Sequence, residues 1–191
     1  MKTERFDRIL KNIQEDFPLP MEGQQIPVPY DIDEELKILK HLSEHLLRYQ
    51  YTFDDCNLGA VRKILDNFHT ASPKKGILLM GLIGNGKTDL FRLFHKYVHY
   101  RGLRKFRSAD TKEISNTYMK TGYIDDFTKK ELYIDDIGVE RTVSRFGNNE
   151  DVVYELLMQR YADKSHVTHA STNFNKELLR ERFGDRVYSR I

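Results

Sequence analysis

Eight residues, Gly81-Leu-Ile-Gly-Asn-Gly-Lys-Thr88, carry the spacing G-x-x-x-x-G-K-T directly after the apolar run Gly76-Ile-Leu-Leu-Met80. Glycine at 81, 84 and 86 lets the backbone curl until successive N–H groups converge on one point, as a chain of phosphates requires. A helix predicted to open here adds the positive potential of its N-terminus. Lys87 is then the cation for the β- and γ-phosphates, and the Thr88 hydroxyl a ligand for Mg2+. Gly81, Gly84, Asn85, Gly86, Lys87, Thr88 and Asp89 form the expected nucleotide-contacting set, with ATP and Mg2+ as cofactors. The alternative, a glycine-rich turn that only starts a helix, does not call for the lysine and threonine in sequence after a strand.

Further along, Leu132-Tyr-Ile-Asp-Asp-Ile-Gly138 reads as an apolar strand that ends in two acids. In a parallel sheet such an end delivers carboxylates to the edge where ligands bind. Asp135 is expected to hold the Mg2+ through a water, and Asp136 to orient or deprotonate an attacking water. A later run finishes in Ser171-Thr-Asn173, whose amide could hydrogen-bond both a γ-phosphate and that water; an ordinary strand-to-loop transition would also use asparagine. The last stretch, ELLRERFGDRVYSRI, holds Arg180, Arg182, Arg186 and Arg190. An arginine supplied by a neighbouring subunit stabilises a transferring phosphoryl group. Glu177, Glu181 and Asp185 are interleaved, so a salt-bridged helix is the equal alternative. Asp125 and Asp126 follow no apolar run and are expected to be solvated.

These groups need elements to hold them. GILLM, KFRSAD, ELYIDD and HVTHASTN read as four strands, separated by helical patterns over DLFRLFHKYVHY, TKEISNTYMKTGYIDDF and NNEDVVYELLMQRYADK. Strands alternating with helices predict an α/β fold, a parallel sheet with helices on its faces. Upstream, DIDEELKILKHLSEHLLRYQ reads as a helix capped by Asp33, with Leu36, Leu39, Leu42, Leu46 and Leu47 along one side. His41 and His45 have metal-ligand spacing but no further donor nearby, so they are read as solvated. Phe6, Ile9, Leu10, Ile13 and Phe17 predict a first amphipathic helix, followed by FPLPMEGQQIPVPY with four of the chain's five prolines. Residues 1–30 thus form a helical N-terminal extension with a Pro-rich linker, either packed on the core or docking a partner, and residues 31–191 the nucleotide-binding core.

The 191 residues contain 31 Lys+Arg against 29 Asp+Glu, a net charge of +2, which excludes bulk attraction to nucleic acid. The single cysteine, Cys56, excludes an intramolecular disulfide and a cysteine-rich zinc site, and is expected at the core or its boundary. The charged start and the lack of a run of about 20 apolar residues predict a cytoplasmic protein with no membrane partner. For DNA, the best local patch is HKYVHYRGLRKFR: Lys96, Arg101, Arg104, Lys105 and Arg107 interleaved with Tyr97, Tyr100 and Phe106. Tyr97 and Phe106 also fit a buried face, which is the competing reading.

The order of GILLMGLIGNGKTDL, LYIDDIGVE, QRY, ASTNF and ERFGDRVYSRI, with Tyr51-Thr-Phe-Asp-Asp55 before them, resembles the AAA+ ATPases of the DnaC/IstB group, over about residues 51–191. The resemblance implies a P-loop AAA+ fold, and a homo-oligomer with ATP sites shared between subunits. It implies a role in DNA replication as a helicase loader, or in transposition. The implied partner is a replicative helicase, or a transposase, with single-stranded DNA as a further ligand. It places Asn173 at the first sensor and the arginine finger at Arg190, with Arg186 as the near rival. Three departures accompany it. Proteins of this group continue past the point where this sequence stops, so the expected unit is a core without the segment that carries a second sensor arginine. No cysteine-rich zinc module precedes the core. Asp136 stands where many AAA+ proteins have glutamate, which sets the carboxylate one methylene further from the water and predicts slow turnover, or an adaptor that binds nucleotide and scarcely hydrolyses it.

Overall fold

The computed structural model describes residues 30–47, 51–70, 75–140, 142–145, 148–163 and 166–188. The predicted N-terminal helix, the proline-rich linker and Arg190 lie outside them. The described residues fall in two compact units, one within residues 1–72 and 92–105 and the other within residues 73–91 and 106–191.

In the first unit, helix α1 spans Ile32–Leu46. Its cap is Asp31, whose carboxylate accepts the N–H groups of Asp33 (2.8 Å) and Glu34 (3.2 Å), so Asp33 sits in the first turn instead. The buried stripe is Glu35, Ile38, Leu39 and Leu42, rotated from the leucine stripe read in the sequence. Rotation carries a carboxylate into the core, and Glu35 is fully buried. It survives there because Tyr97 OH (2.8 Å) and Arg101 (2.6 Å) donate to it, with His69 Nε2 2.7 Å from the Tyr97 oxygen. Burial still holds the Glu35 carboxyl above its ordinary range, against the opposing pull of Tyr97 and Arg101. A helix not read in the sequence, α2, spans Leu58–His69 and buries Val61, Ile64, Leu65 and Phe68, a spacing that was there to be found. Cys56 lies exposed in the turn before it, not in the core. His41 and His45 contact edge to face, and no metal-binding cluster occurs among the described residues.

Helix α3, Lys87–Tyr100, begins in the second unit and continues into the first. The second unit is otherwise built on four parallel strands: β1 (Leu78–Met80), β2 (Arg107–Asp110), β3 (Leu132–Asp135) and β6 (Thr168–Thr172). Their order is β1-β6-β3-β2. Strand β6 therefore runs between β1 and β3, with Ala170 paired to Leu78 on one side and to Ile134 on the other. Close approach of β6 to the start of β1 requires Gly76, where a Cβ would lie 1.6 Å from the Thr168 carbonyl oxygen. The core gathers Ile134, Ile137, Leu156, Leu179 and Phe183 from β3, its following turn and two helices.

Helix α4, Thr111–Thr121, is capped by Asp110 and ends where Gly122 turns left-handed at φ 80°, shorter than the sequence pattern predicts. A single 3-10 turn, Asp125–Phe127, then buries Phe127 and leaves Asp125 and Asp126 in solvent. Residues Val143–Arg145 (β4) and Asn148–Glu150 (β5) pair as an antiparallel hairpin, where the sequence pattern began a helix at Asn148. That helix, α5, spans Val152–Asp163 because the Asp151 carboxylate takes the Tyr154 N–H at 3.1 Å and caps it there. Helix α6, Lys176–Tyr188, bends at Gly184 (φ 71°, ψ 162°).

Candidate nucleotide-binding site

Strand β1 ends at Met80 and α3 opens at Lys87, so the glycine loop joins a strand to a helix N-terminus as its chemistry demands. Gly84 (φ 85°) and Gly86 (φ 72°) take the left-handed backbone that glycine alone adopts freely. A side chain at Gly81 would meet Asn85 Nδ2 at 3.2 Å. Gly81 N–H donates to Thr172 O (3.3 Å), which fastens the loop to the end of β6. Leu82 and Ile83 are exposed at the crest, and Asp89 lies in the first turn of α3.

Lys87 Nζ donates to the carbonyls of Gly81 (2.7 Å) and Leu82 (2.9 Å) and to Asn173 Oδ1 (2.8 Å). The other end of that amide, Asn173 Nδ2, donates to Asp136 Oδ1 at 2.5 Å. One side chain thus bridges the loop's cation and the second acid. The reason is topological: β6 lies between β1 and β3, so Asn173, just past its end, stands between the elements that end in the loop and in the acids. Burial raises the Asp136 carboxyl above its usual range, neighbouring Asp135 raises it further, and Lys87 opposes both. Asp136 also holds φ 60°, a left-handed backbone rare outside glycine.

Thr88 Oγ1 donates to Asp135 Oδ1 at 3.0 Å, bringing the two expected metal ligands together. A hydroxyl beside a carboxylate is a hard oxygen pair of the kind Mg2+ prefers, so the donor set fits that ion. Sequence reasoning missed two further groups here. Tyr133 OH and Ser171 Oγ each donate to Asp135 Oδ1 at 2.6 Å, and Ser171 Oγ accepts the Asp136 N–H at 2.9 Å. The signal for Ser171 was present beside Asn173, but its use depends on the register of β6 against β3.

The arginines divide. Arg182 donates to Glu140 (3.0 Å) and also pairs with Asp151, while Arg180 lies 3.5 Å from Asp185 and over the Tyr188 ring. Only Arg180 pairs within its own helix, as a salt-bridged helix would have it; the partners of Arg182 lie outside α6, in residues 140 and 151. Arg186 is exposed on α6 beyond the bend at Gly184. In the segment read as a DNA patch, Tyr97, Tyr100 and Phe106 are buried, as the competing reading has it, and cannot stack bases. Arg101 serves Glu35, Arg104 donates to Asn67 O (3.2 Å), and Arg107 pairs with Glu113 (3.0 Å) above the Phe127 ring.

No protein-family model matches the chain, and no curated protein does. Solved structures match it. The DnaC helicase loader is 24% identical, over 73% of this chain and 87% of that one, with a TM-score of 0.57. DnaI is 22% identical over 76% of this chain and 85% of that one, TM-score 0.57. The chain shares the fold of these two proteins, a parallel sheet flanked by helices. The replication initiator DnaA bound to AMPPCP and single-stranded DNA shares this fold at 20% identity and TM-score 0.51. The match covers 73% of this chain and 45% of the DnaA chain, less than half its length. Among the described residues no helix is long and apolar enough to cross a membrane.

Proposed function

We propose that this chain is a Mg2+-dependent, ATP-binding and ATP-hydrolysing AAA+ protein of DNA replication, a DnaC-like helicase loader that works as a homo-oligomer. The observation that carries the reading is the run of contacts from Lys87 through Asn173 to Asp136, with Thr88 on Asp135 beside it. It joins a phosphate-gripping cation to an acid able to handle water, with both tied to one amide. In this reading the loop amides and Lys87 bind the triphosphate, and Asn173 orients Asp136. Mg2+, held by Thr88 and Asp135, would supply charge neutralisation on the phosphates. Arg186 or Arg190 would be presented to the site of a neighbouring copy. Residues 1–30 would dock the replicative helicase, and single-stranded DNA would be a second partner; the fold shared with DnaC, DnaI and DnaA supports this assignment.

A nucleotide-gated adaptor is the second reading, favoured by the short arm of Asp136 and its engagement by Asn173. Calorimetry of the full chain with ATP and Mg2+ tests the site. Binding should be lost in Lys87→Ala by about 100-fold or more, since a charge-assisted phosphate contact disappears. Retained affinity in that variant refutes the site. Phosphate release then separates enzyme from adaptor, and a pull-down with the full chain separates a replicative helicase from a transposase.

A further inference from the structure

Asp135 is the acid assigned above to the cation, so the way its carboxylate is held decides which oxygen a cation meets. Among the described residues its hydroxyl donors, Thr88, Tyr133 and Ser171, all fall on Oδ1. This convergence follows from the sheet. Tyr133 precedes Asp135 by two positions in β3, so the pleat puts both on one face. Ile134 is paired with Ala170, which sets Ser171 of β6 beside Asp135 on the same face. The Tyr133 ring is clamped: it is buried and stacks on Phe91 of α3 at 3.8 Å between centroids and 16° between planes. Phe91 lies three residues beyond Thr88, so one helix supplies both the threonine hydroxyl and the ring that fixes the tyrosine. A carboxylate has lone pairs on two oxygens. With three donors crowded on Oδ1, the group is fixed in rotation and Oδ2 is the oxygen presented outward.

We propose that Tyr133 and Ser171 are positioning residues for the divalent cation, their hydroxyls holding Asp135 with Oδ1 turned to the protein and Oδ2 offered to the metal beside Thr88. Ser171 has a second part in this, because its oxygen accepts the N–H of Asp136 and holds the left-handed turn that separates the two acids. The inference rests on the reading of the loop as a nucleotide site.

The test uses the full chain as wild type, Tyr133→Phe and Ser171→Ala. ATP affinity is measured by calorimetry in excess EDTA and then across a Mg2+ titration, with thermal unfolding as the control for folding. Tyr133→Phe keeps the stacked ring and removes only the hydroxyl. It should leave the melting temperature and the metal-free ATP affinity near wild type, and raise the Mg2+ concentration at half effect about 10-fold, the usual scale for a group that orients a ligand. Ser171→Ala should shift it at least as far. A Mg2+ curve for folded Tyr133→Phe that superimposes on wild type overturns the proposal. So does an equal loss of ATP affinity with and without metal, which would make the hydroxyl structural only. If wild type binds no ATP with or without Mg2+, the nucleotide-site reading fails and this inference falls with it; if it binds ATP but gains no affinity from Mg2+, this inference alone is overturned.

Discussion

Replacing Asn173 by alanine is the sharpest perturbation of the proposed site, because one amide serves two charged partners. Its carbonyl accepts from Lys87 at 2.8 Å and its NH2 donates to Asp136 at 2.5 Å. A hydrogen bond to a charged group contributes about 1.5–3 kcal/mol net, and both partners here are only partly buried, so the lower figure applies to each. Loss of both removes about 3 kcal/mol of orientation, which is roughly 10²-fold in rate. Binding should suffer less. Lys87 keeps its contacts to the Gly81 and Leu82 carbonyls, so the loop stays formed and ATP affinity should fall less than about fivefold. The assay is phosphate release at saturating ATP, paired with calorimetric affinity. Asn173→Asp should lose turnover similarly and lose more affinity, since a third carboxylate then faces the phosphates. Turnover within about threefold of wild type, or affinity falling in step with turnover, would mean that Asn173 does not orient Asp136.

Two further substitutions test the frame around the site. Gly138 has φ 104° and a Cβ there would lie 2.8 Å from the Phe174 ring, so Gly138→Ala should cost about 3 kcal/mol in urea unfolding; a loss below about 1 kcal/mol would mean that the turn has room. Arg101→Ala leaves Glu35 buried without its cation and should destabilise by about 3 kcal/mol at neutral pH while leaving any DNA affinity unchanged. The pH dependence has a definite sign. Glu35 already titrates above its ordinary range, so the folded state holds that proton more tightly than the unfolded state, and stability is lost as pH rises through the raised value. Removing Arg101 raises it further, so the deficit should be smallest in acid and largest near neutrality in melting curves across pH. A pH-independent deficit would refute this account.

The chemistry-bearing segments were legible because their signals are local. Glycine spacing, the lysine and threonine after it, an apolar strand closed by two acids, and the alternation of strand and helix all depend on near neighbours in sequence. Caps and breakers were legible in kind but misplaced in position. Asp31 displaced Asp33 because the side chain nearest the first free N–H groups takes them, and Gly122 ended α4 ahead of the pattern's limit. What the tertiary structure alone decided is which residues meet across long separations. The placement of β6 between β1 and β3 puts Asn173 between Lys87 and Asp136, and the register of that pairing brings Ser171 to Asp135 across 36 residues. Burial of Glu35 consumed Arg101, and the packing of Tyr97 and Phe106 removed the aromatic faces of a supposed DNA patch. Hydrophobic periodicity says that a face will be covered; only the packed chain fixes what covers it, because that choice is made by contacts between residues far apart in sequence.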